Sequence, residues 1–117
     1  MIAVRTRLDE QGCLASVCVS GHASAGPGRR GGSVVCAAVT GLVRSCADAI
    51  AERPAIVASG SAPHPGELRV DIVSREGDGE WLRGVTDVML SGLRRMAGEA
   101  PDEVEIIVEK TGVQHGA

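Results

Sequence analysis

A histidine and a cysteine in one short window could serve as the base and the nucleophile of a hydrolase. His22 follows an apolar run that is typical of a β-strand, and Cys36 lies within the apolar segment VVCAAV. A glycine-rich loop joins the two residues. Because glycine adopts backbone conformations that other residues resist, this loop can fold back and bring the imidazole to the thiol. A thiol held against a base is the usual arrangement of a cysteine nucleophile.

The residues around Cys36 predict a helix over residues 34–52, with apolar residues recurring every three or four positions. Ser33 is a suitable N-cap, because its hydroxyl can accept a hydrogen bond from a free amide one turn later. Cys36 would then be the third helical residue, where the helix macrodipole and the unpaired N–H groups favour the thiolate. Thr40 would lie one turn further along on the same side. His22 could take the thiol proton or hold the thiolate as an ion pair.

Other interpretations of the same residues stay open. A cysteine in an apolar segment is commonly core filling, and a histidine at a strand end is commonly a surface residue. A metal site built from Cys36, His22 and a third residue is a further alternative. The four cysteines include no C-x-x-C pair, so the zinc signal is weak. We interpret Cys13, Cys18 and Cys46 as small apolar fillers.

Two segments resemble the signature of the bacterial ribosomal-processing cysteine proteases, the Prp or YsxB-like family. They are Gly21-His22-Ala23 and the run VVCAAVT that contains Cys36. The resemblance covers the whole chain, although only these two segments are specific. It implies that Cys36 is the nucleophile and His22 the base. It also implies a narrow substrate, the N-terminal extension of the twenty-seventh large-subunit ribosomal protein, and a homodimer.

The substrate peptide is expected to lie under the loop at residues 24–32 and against its flanks. The residues that we assign to substrate binding are Gly21, Ala23, Arg29, Arg30, Ser33 and Thr40. The basic pair in this set has a simpler alternative, because adjacent arginines in a loop are commonly solvated surface. No metal or other cofactor is expected.

The sequence departs from the pattern of this family in two ways. The family has an aspartate three residues before the cysteine, where this sequence has Ser33, and its loop is shorter. Serine can cap a helix but carries no charge to orient an imidazolium. No nearby residue is an obvious substitute, and nothing in the sequence supports the two possible ones, Asp48 and Asp71. The departure keeps a second function open, namely a non-catalytic protein-binding module associated with ribosome assembly.

The composition excludes several other classes of protein. A net charge of −3 and a single aromatic residue, Trp81, argue against direct binding of nucleic acid. The apolar stretches are short and interrupted by charge, which argues against a membrane span, and the N-terminus lacks the apolar core of a signal peptide. We therefore expect a soluble, cytoplasmic protein with one domain over residues 1–110 and a loose tail over residues 111–117.

The hydrophobic pattern predicts an α+β fold with the element order ββαββαβ. Residues 2–8, 13–20, 55–59 and 67–74 and a last run from Val104 alternate as strands do. A second helix is expected over residues 80–98, ending at Gly98. Both helices would pack on one face of a mainly antiparallel or mixed sheet.

Overall fold

Five strands form one mixed sheet in the computed structural model, which describes residues 1–21, 30–62 and 67–111. The strands are β1 (Ile2–Leu8), β2 (Leu14–Gly21), β3 (Ile56–Ser61), β4 (Leu68–Arg75) and β5 (Val104–Lys110). Their order across the sheet is β3-β4-β2-β1-β5. Strands β1 and β5 are parallel, and the other neighbours are antiparallel. The predicted order ββαββαβ and the mixed sheet are confirmed.

The two helices, α1 (Arg30–Ala51) and α2 (Gly79–Glu99), pack against each other and against the sheet. Alternate strand residues such as Ile2, Val4 and Val17 are buried against them. They form a single core cluster with residues of both helices, including Val39, Val43, Leu82 and Leu93. Successive strand residues point to opposite faces, and among the described residues both helices pack on the face that carries these buried side chains. The core is aliphatic, as the composition predicts.

Both helices are longer than the sequence predicts. Helix α1 begins at Arg30 rather than at residue 34, so the predicted N-cap role of Ser33 is wrong. Two glycines in that first turn lower the helix propensity by about 1 kcal/mol each, which weakens a helix but does not end it. Helix α2 continues through Gly98 to Glu99, so the predicted stop at Gly98 is also wrong. Residues 112–117 of the predicted tail lie outside the described residues.

Hydrogen bonds and one cation–π contact fix α2 to the rest of the fold. The buried Thr86 hydroxyl accepts a hydrogen bond from the Leu14 N–H at 2.9 Å. At the start of α2, Arg53 forms an ion pair with Asp78 at 3.0 Å. The same guanidinium lies 4.4 Å from the centre of the Trp81 ring. The end of α1 is therefore tied to the beginning of α2.

Helix α1 contains a longer apolar segment than we predicted from the sequence. Its segment Val34–Ala51 has a mean hydropathy of 1.6 and is long and apolar enough to cross a membrane, by length and composition only. A helix that covers a protein core passes the same test. In this fold Val39, Val43 and Ile50 of the segment are buried in the core.

Candidate active site

Cys36 lies at the edge of the buried stripe of α1. Val39 and Val43 are buried below it, while Ala37 and Ala38 beside it are exposed. Cys36 itself is half-buried and packs against the core cluster. The backbone of the nucleophile candidate is thus anchored by its neighbours, and part of the residue remains open to solvent.

The start of α1 changes the expected electrostatics of Cys36. Because the helix begins at Arg30, Cys36 is its seventh residue and not its third. The unpaired N–H groups of a helix belong to its first four residues, and the effect of the macrodipole falls off within the first turn. The predicted stabilisation of the thiolate by the helix N-terminus is therefore wrong. An adjacent base is then the main remaining way to activate this thiol.

Three of the other predicted site residues, including the proposed base, lie outside what the structure describes. His22, Ala23 and Arg29 are outside the described residues. Arg30 and Ser33 belong by their backbone to the first turn of α1. The pairing of Cys36 with His22 accordingly stays a prediction.

Thr40 is half-buried and follows Cys36 by four residues on α1. Residues four apart on a helix are neighbours on its surface, with about 5–6 Å between their Cβ atoms. The structure therefore brings Cys36 and Thr40 together on one side of the helix. Thr40 can contact a peptide that reaches Cys36.

Gly21 fixes the path of the chain immediately before His22. It ends β2 opposite Ile2, with a φ angle of +87° that side chains rarely adopt. A Cβ added at this position would collide with the carbonyl oxygen of Met1. Glycine is therefore required here by the backbone, independently of any contact with substrate.

Neither of the two substitute carboxylates can orient an imidazole at Cys36. Asp48 is exposed on α1 twelve residues after Cys36, which is about 18 Å along the helix axis. Asp71 follows the buried Val70 on β4 and so faces away from the helices. It accepts two hydrogen bonds from Arg69, at 2.9 and 3.2 Å.

The other cysteines have different surroundings from Cys36. Burial, with a smaller effect of Asp9, raises the pKa of the Cys13 thiol, which donates to the Gly79 carbonyl at 3.3 Å. Burial also raises the pKa of Cys46. A raised pKa disfavours the nucleophilic thiolate, so these two residues act as packing groups, as predicted. Cys18 lies on the face away from the helices, between the buried Val17 and Val19, so the prediction that it fills the core is wrong.

An apolar groove between α1 and α2 was not predicted from the sequence. Its volume is about 650 Å³, and it is lined by Leu42, Ser45, Cys46, Ala49, Glu80, Trp81, Gly84, Val85 and Val88. Trp81 and Val85 in this lining are only half-buried. Val88, three residues after Val85, is exposed. An apolar residue at this position of the sequence indicates that the groove-lining face of α2 is apolar.

Comparison with known proteins identifies the family. The sequence profile described as cysteine protease Prp matches residues 1–105. No curated protein sequence matches the chain. The chain therefore belongs to the cysteine protease Prp family.

Solved structures share the fold. SMU.848 from Streptococcus mutans superposes with a TM-score of 0.76 at 24% identity, covering 95% of this chain and 96% of the other. The ribosomal processing protease Prp from Staphylococcus aureus, with a covalently linked product peptide, gives a TM-score of 0.76 at 19% identity. The same protease with a substrate peptide gives 0.75 at 18% identity. Both matches cover 93% of this chain and 100% of the other.

Proposed function

We propose that this member of the Prp family is a cysteine endopeptidase with Cys36 as its nucleophile and His22 as its base. Its substrate is the N-terminal extension of the twenty-seventh large-subunit ribosomal protein. The observation that carries the proposal is the position of Cys36, half-buried at the edge of the α1 stripe in a chain that matches the family over residues 1–105. Ribosome assembly places the reaction in the cytoplasm.

The proposed reaction has two covalent steps. His22 takes the proton of the Cys36 thiol, and the sulfur attacks the carbonyl carbon of the scissile peptide bond. The C–N bond breaks, the amine leaves with the proton from the imidazole, and a thioester remains on Cys36. Water, deprotonated by the same imidazole, then attacks the thioester and releases the carboxylate product and the free thiol.

The surroundings of Cys36 support this role better than those of the other described cysteines. Cys13 is sealed in the core and hydrogen-bonded, and Cys46 lies at the groove between the helices with a raised pKa. Cys36 is half-buried, with exposed alanines next to it where a peptide can approach. Since α1 does not present its N-terminal amides to Cys36, the proposal depends strongly on His22 as the base.

The test is cleavage of a peptide that spans the N-terminal extension of this ribosomal protein, from the genome that encodes the chain. Wild type is expected to cut it, while Cys36→Ala and His22→Ala reduce kcat by about 10³-fold or more. Cys18→Ala is the matched control, because Cys18 is on the opposite face of the sheet from the helices. Equal turnover by all four proteins would exclude the proposed roles of both residues.

A second function remains in view because two features that favour catalysis are missing. Ser33 supplies no charge, and Cys36 lies beyond the first turn of α1. The alternative is a module that binds the ribosomal protein without cutting it. Binding of the same peptide to wild type without turnover, and with Cys36 labelled no faster than a free thiol, would favour this alternative.

We further propose that the chain acts as a homodimer, on the strength of the family resemblance alone. Size-exclusion chromatography with light scattering measures the mass directly. Twice the chain mass of 12.0 kDa is the expected value. A particle of one chain mass across the working concentration range would overturn this part of the proposal.

A further inference from the structure

Strand β3 is an edge of the sheet that carries no charge and no proline, although its pairing with β4 shifts register between Val57 and Ala58. It pairs with β4 on one side, and among the described residues no strand pairs with its other side. Residues 55–62 read AIVASGSA, without a charge or a proline. Natural edge strands are commonly blocked by lysine, other charges or proline, because their free N–H and C=O groups pair readily with another chain.

The opposite edge of the sheet shows the contrast. Strand β5 carries Glu105, Glu109 and Lys110, and Glu109 forms an ion pair with Arg5 at 3.2 Å. The two edges of the sheet therefore differ in charge, since β5 contains charged residues and β3 contains none. A sheet edge without charge or proline is a template for an extended peptide.

The C-terminal end of β3 lies near the level of Cys36. Helix α1 ends at Ala51, β3 begins at Ile56, and the two elements pack together, so the short link between them makes them run in opposite directions. Cys36 is fifteen residues before the end of α1, or about 22 Å along its axis. Ser61 is five residues into β3, or about 17 Å along the strand. The levels of Cys36 and Ser61 along the helix axis therefore differ by about the rise of one helical turn.

Gly60 leaves the helix-facing side of this strand open. Its partner Val70 is buried in the core, which places Gly60 on the same face as the helices. Gly60 is nevertheless exposed, and among the described residues an added Cβ would meet the Arg69 carbonyl oxygen, at 3.7 Å. Within the part of the chain that the structure describes, the helix-facing side of β3 is therefore open at Gly60.

We infer that the peptide substrate binds as an additional strand along the free edge of β3, so that its backbone passes Cys36. The inference rests on the proposed protease function and adds to it the surface and the conformation in which the peptide is held. Main-chain hydrogen bonds to β3 supply affinity, and the small residues Ser59, Gly60 and Ser61 let the peptide approach closely.

The first test uses the ribosomal extension peptide with one backbone amide at a time N-methylated. In an added strand, successive residues direct their N–H and C=O groups alternately toward and away from the neighbouring strand. Methylation at every second amide is therefore expected to lower kcat/KM by about tenfold, chiefly through KM, and methylation of the intervening amides to leave it unchanged. Equal sensitivity at consecutive amides would contradict strand addition.

The second test uses Ser59→Pro and Gly60→Pro, with Ser59→Ala and Gly60→Ala as matched controls. Of two consecutive strand residues, one directs its N–H toward β4 and the other toward the free edge. Proline is tolerated at an edge where the N–H faces solvent. The proline variant that keeps the wild-type melting temperature is therefore expected to lose about tenfold in peptide affinity. If that variant binds the peptide as wild type does, the inference is wrong; if both prolines lower the melting temperature, the N-methyl series decides.

Binding and turnover are measured separately, so that the two proposals fail separately. A peptide that binds with the alternating pattern but is never cut supports strand addition and rejects the protease. A peptide that is cut without the alternating pattern supports the protease and rejects strand addition. A peptide that neither binds nor is cut rejects both. If β3 instead pairs with β3 of a second copy, the tolerated proline converts a dimer into a monomer without changing peptide affinity, and this also rejects the inference.

Discussion

Gly21 lies so close to the carbonyl oxygen of Met1 that no side chain fits between them. The contact joins the last residue of β2 to the residue before β1, at the point where the chain leaves the sheet toward His22. The φ angle of +87° at Gly21 belongs to the region that favours glycine. The GHA segment of the signature therefore contains a glycine with a backbone reason and a histidine with a proposed chemical one.

Gly21→Ala is expected to lower the free energy of unfolding by about 1–2 kcal/mol, because alanine is strained at a positive φ. It is also expected to lower peptide turnover at temperatures where the variant is fully folded, since the chain must leave β2 in a new direction. Gly98→Ala is the control. Nothing lies within 4 Å of an added Cβ at that helical position, so this variant is expected to gain up to about 1 kcal/mol. Urea unfolding measures both, and a loss at Gly98 equal to that at Gly21 would contradict the argument.

Ser33→Asp places a carboxylate three residues before Cys36, in the first turn of α1. Residues three apart on a helix are neighbours, so the carboxylate can orient a protonated imidazole beside the thiol. We expect kcat to rise severalfold and the free energy of unfolding to rise by about 0.3–1 kcal/mol, since an acid is favourable at a helix N-terminus. Ser33→Asn separates charge from hydrogen bonding. An equal rise in kcat with Asn would show that charge is not the cause.

Most of the fold could be predicted because the strand signal is local. Residues 2–8 alternate without interruption, and β1 has those bounds in the structure. The start of α1 could not be predicted in the same way. Ser33 is a good cap by type, but capping preferences of about 1 kcal/mol do not decide where a 22-residue helix with a large buried face begins.

Two other features could not be predicted from the sequence for another reason. They are the pairing of the strands and the exposure of the end of β3. The pairing of β1 with both β2 and β5, which leaves β3 at an edge, depends on contacts between residues far apart in the chain. The exposure of Gly60 depends likewise on residues that are distant in the chain, such as its partner Val70 on β4. The half-buried position of Cys36 could be predicted, because Cys36 precedes Val39 and Val43 by three and seven residues, which is the spacing of one helix face.

The Cys46 thiol makes the stability of the protein sensitive to alkaline pH. Burial raises its pKa above the ordinary value of 9.0, so the folded state holds the proton more tightly than the unfolded state does. This contribution to stability is complete below the unfolded pKa and is lost as the pH rises through the folded pKa. The free energy of unfolding is therefore expected to fall above a pH of about 9, and less steeply in Cys46→Ala. Cys18→Ala is the control, and a slope in Cys46→Ala as steep as in that control would contradict the assignment.

Arg53 connects the end of α1 to the start of α2 through Asp78 and the Trp81 ring. Its side chain is 37% exposed, so screening by solvent reduces the value of the ion pair. Arg53→Ala is expected to cost about 1 kcal/mol, and Arg53→Lys about half of that, because lysine keeps the charge and loses the planar stack. Urea unfolding and Trp81 fluorescence measure the two effects. An unchanged Trp81 emission in Arg53→Ala would show that the guanidinium does not cover the ring in solution.

Replacing each of two buried threonines by valine is expected to have different effects on the free energy of unfolding. The Thr86 hydroxyl accepts from the Leu14 N–H and donates to the Leu82 carbonyl at 2.7 Å, whereas the Thr6 hydroxyl has no hydrogen-bond partner in the part of the chain that the structure describes. Thr86→Val leaves a buried N–H unsatisfied and is expected to lower the free energy of unfolding by about 1–3 kcal/mol.

Thr6→Val removes a buried polar group that gains nothing in return, so it is expected to be neutral or to stabilise by up to about 1 kcal/mol. Valine is close in shape to threonine, which keeps the packing of the core similar in both variants. Urea unfolding with equal m-values compares them directly. If Thr6→Val lowered the free energy of unfolding as much as Thr86→Val, the Thr6 hydroxyl would be hydrogen-bonded in solution. The core next to Thr6 would then be more polar than the sequence of the strands indicates.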